Sequence, residues 1–258
     1  MSNSFVKNAA YTLLDLVTFK KGVARTINGM KIRFPARWSR YYPADYENEN
    51  YLFLQKTVKP GWHLIDIGAH FGLFSTCASQ LTGANGRIIC FEPTPVTFSI
   101  LKKTLALNHC DNVTPVQAAV SDKDGTATFF MGETDGCNSN SLINNTMGKG
   151  VKSGYDIKTV TIDGIVSEYT LSPDLIKVDA EGAELEVLKG AIKTLEKYKP
   201  IIIIGLHPFS FTDKPATLGA IWDLVISLGY KIRYNRMLIT RSDFCSRTGL
   251  FEIHCETE

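Results

Sequence analysis

The chain has 258 residues, 44% of them hydrophobic and 21% charged, with a mean hydropathy of −0.03. That is enough apolar material for one large domain with additions, and it excludes a low-hydrophobicity disordered chain. A net charge of +2 is too near balance to indicate a nucleic-acid or membrane partner by itself.

The charge is unevenly spread. Lys7, Lys20, Lys21, Arg25, Lys31, Arg33, Arg37 and Arg40 face a single acid, Asp15, before residue 41. Such a stretch suits an anionic substrate or surface, and equally a solvated basic face. The six cysteines (Cys77, Cys90, Cys110, Cys137, Cys245 and Cys255) form no C-x-x-C pair and no metal-ligand spacing. Several lie in apolar runs, so a reducing, cytoplasmic setting is expected. No apolar run reaches membrane-spanning length, and the N-terminal apolar stretch, broken by Asp15, does not read as a signal peptide.

In chain order, apolar spacing predicts an amphipathic helix over Phe5 to Phe19, then a hairpin from Val23 to Phe34 turning at Asn28-Gly29. An aromatic, charged stretch from Arg37 to Tyr51 leads into a helix over Tyr46 to Val58, stopped by Pro60-Gly61. Strands and helices then alternate. Strands are expected at His63 to Ile67, Arg87 to Phe91, Val113 to Val120, Thr126 to Met131, Lys158 to Ile162, Leu175 to Val178 and Ile201 to Leu206. Helices are expected at Leu73 to Gln80, Pro95 to Leu107, Glu184 to Tyr198 and Thr217 to Leu228, with a helical turn at Ile165 to Tyr169. Tyr230 to Tyr234 and Leu250 to His254 read as a closing antiparallel pair, and Gly132 to Gly154 as a polar loop. Such alternation implies right-handed crossovers and a largely parallel sheet. Residues 1–58 read as a cap region and 59–258 as the main domain.

Two segments carry the chemistry. In residues 63–72 a buried strand runs through Asp66 into the turn Gly68-Ala69-His70-Phe71-Gly72 and then a helix. Glycines there let a ligand's sugar approach the backbone, and the helix amides beyond offer donors. The next strand ends in Glu92-Pro93, where a carboxylate can accept hydrogen bonds from both hydroxyls of a ribose. The turn is Gly-x-x-x-Gly, without the Gly-x-Gly-x-x-Gly spacing of a pyrophosphate cradle. An adenosine ligand lacking a pyrophosphate fits better than a nicotinamide dinucleotide.

Several blocks occur in order: residues 66–72, Phe91-Glu-Pro93, Leu107-Asn108, residues 118–122 with Gly125, residues 175–184, Leu188-Lys-Gly190 and residues 200–204. Together they resemble the FkbM family of methyltransferases, most specifically through Asp179-Ala-Glu181-Gly-Ala-Glu184. The resemblance covers roughly Pro60 to His207. It implies a Rossmann-like class I methyltransferase fold, α/β, with a mostly parallel seven-stranded sheet, an antiparallel terminal strand and an N-terminal helix and hairpin extension. It also implies S-adenosylmethionine as cofactor and O-methylation of a sugar, glycan or natural-product hydroxyl. Carried over by position, the cofactor set is Asp66, Gly68, Ala69, His70, Phe71, Gly72 and Glu92. Pro93, Thr94, Ala118 and Ala119 would lie around the adenine, and Asp179 near the methionine ammonium or the acceptor. The family commonly has Asn where this chain has His70, and often ends the fifth strand with Glu where this chain has Gly205-Leu-His207.

An alcohol must lose its proton on methylation, so a base is expected near the acceptor. His207 follows a strand end and titrates near neutrality, making it the first candidate, with Asp179 and Glu181 next. Glu181 and Glu184 equally suit orienting a loop or capping a helix. Asp179 and Glu181 could begin a Mg²⁺ site, but the sequence offers no clear third ligand, so metal independence is expected. The turn of adenine-N6 enzymes and the Pro-Cys nucleophile of cytosine-carbon enzymes are both absent, and no specific nucleic-acid partner is expected. Methylation of nitrogen or of a macromolecule, a non-catalytic adenosine-binding module, and a nicotinamide enzyme stay as alternatives.

Overall fold

The computed structural model describes residues 21–131 and 153–257. The helix expected over Phe5 to Phe19, Cys137 and nearly all of the polar loop Gly132 to Gly154 lie outside them.

The chain opens with the hairpin β1 (Val23–Ile27) and β2 (Met30–Phe34), turning at Asn28 and Gly29, which both have positive φ. Helix α1 (Asn48–Thr57) follows. The central sheet then begins with β3 (His63–Ile67), α2 (Leu73–Thr82), β4 (Arg87–Phe91), α3 (Pro95–Leu107) and β5 (Val113–Val116). After an excursion it resumes with β9 (Leu175–Asp179), α5 (Glu184–Lys189), α6 (Ile192–Tyr198), β10 (Ile201–Leu206) and α7 (Lys214–Ser227). It closes with β11 (Lys231–Tyr234), β12 (Met237–Leu238), α8 (Arg241–Cys245) and β13 (Phe251–Glu256).

The sheet has eight strands in the order β12-β11-β13-β10-β9-β3-β4-β5. Strands β5, β4, β3, β9 and β10 are mutually parallel, and β13 inserts antiparallel between β10 and β11. The expected seven strands are all present; β12, two residues long, adds an eighth at the edge. The excursion is a separate three-stranded sheet of β6 (Ala119–Val120), β7 (Gly125–Met131) and β8 (Ser153–Val160), followed by α4 (Ile162–Glu168).

Alternation along each buried strand divides the core in two. Leu64, Ile88, Leu175 and Ile203 face one side, with Ile27, Ile32 and Phe34 of the hairpin and Leu54 of α1. Ile65, Ile89, Ile176, Ile202 and Ile204 face the other, under α4, α5, α6 and α7.

Two of the expected elements are each split in two. The third strand does not run from Val113 to Val120: it ends at Val116, and Ala119–Val120 leaves to pair with β8. The helix expected over Glu184 to Tyr198 is two helices, broken at Gly190, where a Cβ would lie 2.1 Å from the Ser121 carbonyl oxygen. The backbone just after β6 occupies the space that a side chain at position 190 would need. The short element α8 was not expected. Among the described residues, no helix is long and apolar enough to cross a membrane.

Candidate active site

The carboxyl ends of β3, β4, β9 and β10 surround one cavity of about 320 Å³, where open parallel sheets place their ligands. Its first wall is the turn after β3. Gly68 has φ +76, and a Cβ there would lie 1.9 Å from the Asp179 carbonyl oxygen, so only glycine lets the ends of β3 and β9 meet this closely. Gly68 and Ala69 donate their N–H groups to the Phe91 carbonyl, tying the turn to β4. His70 also has positive φ, +50. That is a region where Asn and His are enriched, which explains how this chain accepts His at a position the resemblance assigns to Asn. Its Nδ1 lies 2.8 Å from the Tyr42 hydroxyl.

Glu92, at the end of β4, is buried and pinned by two amides. Oε2 accepts from His70 N–H at 3.1 Å and Oε1 from Thr94 N–H at 2.9 Å. Burial pushes its pKa up to about 7, against the opposing effect of those amides. The Thr94 hydroxyl also hydrogen-bonds this carboxylate, which lines the cavity as an acceptor.

The opposite wall is strongly acidic. Lys177 is buried, with Nζ 2.9 Å from Asp179 Oδ2 and 4.0 Å from Asp66 Oδ1. Burial opposes the Asp179 charge, but Lys177 and His207 outweigh it and hold that carboxyl below its usual range. His207, 4% exposed, is fixed through Nδ1, which lies 2.8 Å from Oε1 of the fully buried Glu184. The same Glu184 oxygen accepts from Gly182 N–H at 3.0 Å, so one carboxylate sets both the loop after β9 and the imidazole. His207 Nε2 then points between Glu181 Oε2 at 3.5 Å and Asp179 Oδ1 at 3.7 Å. Burial disfavours its charge, yet the Glu184 hydrogen bond and the charges of Glu181, Glu184 and Asp179 raise its pKa to about 9. Burial, with Asp179 and Glu184 adding, lifts Glu181 to about 8 against the pull of His207.

Of the residues singled out in the sequence, Gly68, Ala69, His70, Glu92, Pro93, Thr94, Ala118, Ala119, Asp179, Glu181 and His207 all line this cavity. Asp66, Phe71 and Gly72 are not among its lining residues. Asp66 accepts from Ser75 Oγ at 2.5 Å and so anchors α2 to β3. Phe71 is fully buried against Trp38 and Tyr41, and Gly72 fits under the Leu101 side chain. Asp179, Glu181 and His207 also bring ligand atoms within 4.8 Å of one another. His207 is thus the third potential ligand that sequence reading did not connect to the two acids.

The cavity also holds groups that went unnoticed in the sequence. Tyr41, Tyr42, Tyr46 and Tyr51 line it from the segment preceding and opening α1. Glu252 of β13 lies opposite Gly205, which lies opposite Asp179 in turn. Glu252 accepts from Asn50 Nδ2, and Asn50 Oδ1 pairs with His254 Nε2 at 3.2 Å. Burial, with Glu47 adding, raises Glu252 to about 8. Nothing local in the sequence marks Asn50 and Glu252 as neighbours.

A family model described as the methyltransferase FkbM domain matches residues 66–232. The chain belongs to the FkbM methyltransferase family. It is 30% identical over 215 residues to the hexuronic acid methyltransferase AglP of Haloferax volcanii, covering 79% of this chain and 84% of that protein. It is also 30% identical over 154 residues to the methyltransferase sdnD of Sordaria araneosa, covering 49% of this chain and spanning 59% of that relative. Among solved structures, a precorrin-6y C5,15-methyltransferase from Geobacter metallireducens superposes with a TM-score of 0.50 at 15% identity, covering 85% of this chain and 93% of that one. That likeness is one of fold. The strand order of this FkbM methyltransferase, with β13 antiparallel between β10 and β11, is the Rossmann-like class I arrangement.

Proposed function

We propose that this FkbM methyltransferase uses S-adenosylmethionine to methylate a hydroxyl of a sugar, glycan or natural-product acceptor. The observation that carries the reading is His207: a buried imidazole, locked through Nδ1 by Glu184, with Nε2 turned into the cavity whose other wall presents Glu92.

The residues fit the cofactor. Glu92 is held at the cavity wall as an acceptor for ribose hydroxyls, Gly68 keeps the turn clear of side-chain atoms, and Ala118 and Ala119 give a small, apolar border for a base. Bound there, S-adenosylmethionine supplies a methyl carbon activated by its sulfonium. Asp179 keeps a negative charge beside the space where a cationic ligand sits. The protein's remaining work is to align the acceptor oxygen and to take its proton. His207 Nε2 would accept that proton as the methyl passes from sulfur, which leaves as the thioether, to the acceptor oxygen, and Glu184 would stabilise the resulting imidazolium from the Nδ1 side. Glu181 and Asp179 flank Nε2 and orient the hydroxyl.

The convergence of Asp179, Glu181 and His207 also suits a divalent cation. We favour the proton-transfer role because Asp179 already has Lys177 as a cation at 2.9 Å. Turnover that survives a chelator supports this choice; turnover that chelator abolishes and Mn²⁺ or Mg²⁺ restores assigns the three side chains to a metal.

The cofactor assignment is tested by calorimetric titration of S-adenosylmethionine and S-adenosylhomocysteine into wild type, Glu92→Ala and Glu92→Gln. Saturable binding by wild type, weakened at least about tenfold by both substitutions, is expected. That loss corresponds to about 1.4 kcal/mol or more. No binding by folded wild type overturns the assignment.

A further inference from the structure

Part of the basic stretch before residue 41 has a definite place in the fold. Arg25 and Arg40, with Ser39, Tyr41 and Tyr42, line an open groove beside the hairpin. Its other lining residues are Val23 and Pro43, so no acid is among them. Arg25 Nη1 donates to the Ser39 carbonyl at 2.9 Å, which ties β1 to the segment that carries Arg40 and fixes the guanidinium. The arginine–carboxylate pairs of the described residues use Arg233, Arg236 and Arg241, leaving Arg25 and Arg40 without an acid partner among those residues. Other basic side chains of the stretch are placed differently. Arg33 Nη1 donates to the Lys21 carbonyl at 3.2 Å, and the Arg37 guanidinium lies over the Trp38 ring.

Tyr41 and Tyr42 line both this groove and the active-site cavity, so the two spaces adjoin there. Their charges are opposite. The cavity presents Glu47, Glu92, Asp179, Glu181 and Glu252 against Lys177 and His207. Burial and neighbouring carboxylates already lift Glu181 and Glu252 to about 8, and an anion placed among them would add to that repulsion. A neutral hydroxyl can enter the cavity. A negatively charged group is favoured only outside it, where guanidinium forks match a phosphate or a carboxylate.

We propose that Arg25 and Arg40 form an anion subsite for the acceptor. The acceptor carries a phosphate or carboxylate group set apart from the hydroxyl that is methylated; the groove holds that group while the neutral, hydroxylated end reaches past Tyr41 and Tyr42 into the cavity. The proposal rests on the methyltransferase reading and narrows its acceptor to an anionic molecule. It also gives the cap region a share in acceptor choice, since both arginines and both tyrosines precede the main domain.

The test uses the full chain saturated with S-adenosylhomocysteine, inorganic pyrophosphate as the probe and phosphorus NMR as the readout. Saturable binding is expected, weakened about fivefold or more by Arg25→Gln and by Arg40→Gln. Arg40 is exposed, so its variant should fold as wild type does. Arg37→Gln is the control: Arg37 is exposed in the same basic stretch but does not line the groove, so affinity should hold. None of the three arginines lines the active-site cavity, so S-adenosylhomocysteine affinity should hold in every variant. No pyrophosphate binding, or an affinity untouched by both groove substitutions, overturns the proposal. So does an equal loss in Arg37→Gln, which would mean a diffuse basic face. A single-stranded oligonucleotide that binds about a hundredfold more tightly than pyrophosphate through the same arginines overturns it as well, because the groove would then follow a nucleic-acid backbone. With an acceptor found by turnover, removing its anionic group or Arg40→Gln should raise KM at unchanged kcat; a KM insensitive to both overturns the acceptor role. Failure of wild type to bind S-adenosylhomocysteine is a separate result, and it removes the methyltransferase reading itself, whatever the groove binds.

Discussion

Glu184 and His207, 23 residues apart in sequence, meet at 2.8 Å between Oε1 and Nδ1 with both side chains buried. A carboxylate can only accept, so Nδ1 carries the proton and Nε2 is the end left to face the cavity. This pairing sets the pH behaviour of the site. His207 titrates at about 9 in the folded protein against 6.5 for a free imidazole. A base raised on folding contributes stability that is complete below about pH 6.5 and is lost as pH rises through about 9. Thermal melts of wild type and His207→Asn across that window should converge as pH rises. In turnover the sign is reversed, because the neutral imidazole is the competent form: kcat should climb toward pH 9 in wild type. A flat profile would remove His207 from proton transfer.

Replacing Glu184 by Gln keeps an acceptor for the Gly182 amide but withdraws a negative charge from the imidazole. The His207 titration, followed by NMR of its ring nitrogens, should then move down from about 9. S-adenosylhomocysteine affinity should be preserved while the rise of the kcat profile moves to lower pH and its high-pH limit falls, a split that a merely structural carboxylate would not produce. An unshifted titration would mean that Glu181 and Asp179 alone set the imidazole's charge.

Gly68 and Gly190 separate site geometry from scaffold geometry. A Cβ at either position meets a carbonyl oxygen, Asp179 at 1.9 Å or Ser121 at 2.1 Å. Both Gly68→Ala and Gly190→Ala should cost about 1–3 kcal/mol in urea unfolding, the range for overpacking. Only Gly68 lines the cavity, so only Gly68→Ala should also weaken S-adenosylhomocysteine binding. Equal effects on binding would show that the strain at Gly190 spreads to the turn.

How much of this was legible in the sequence follows from how local each signal is. The turn after β3 and Glu92 at the end of β4 announce themselves because strand, glycines and acid are adjacent along the chain. The acidic wall does not: Asn50 and Glu252 meet only because α1 packs beside β13, some 200 residues later. The need for glycine at Gly190 was invisible because it comes from the Ser121 carbonyl, in a distant segment of the chain. Helix α8, by contrast, was readable. Thr240 accepts from Asp243 N–H at 3.2 Å, and Thr-Arg-Ser-Asp is the spacing of a capping box.

Lys177 is the buried cation on which the acidic wall depends. It lies 2.9 Å from Asp179 and 4.0 Å from Asp66. Burial works against its charge, but Asp179, Asp66 and Glu47 prevail and hold its pKa above the usual lysine value. Lys177→Met would leave the buried Asp66 and the part-exposed Asp179 without their counter-ion; breaking a fully buried pair costs about 3–5 kcal/mol, and the exposure of Asp179 to the cavity places the expected loss below that. The sign of the pH dependence is fixed by the acids that remain. Asp179, whose pKa Lys177 now helps to hold down, would titrate higher in the variant, and Asp66 would rise further. Protonation would then relieve the unpaired charge as pH falls. The stability deficit of Lys177→Met, measured by urea unfolding, should therefore be larger at pH 7.5 than at pH 5. An equal deficit at both would mean that the lysine contributes packing against Phe74, over whose ring its ammonium sits at 5.6 Å, rather than charge.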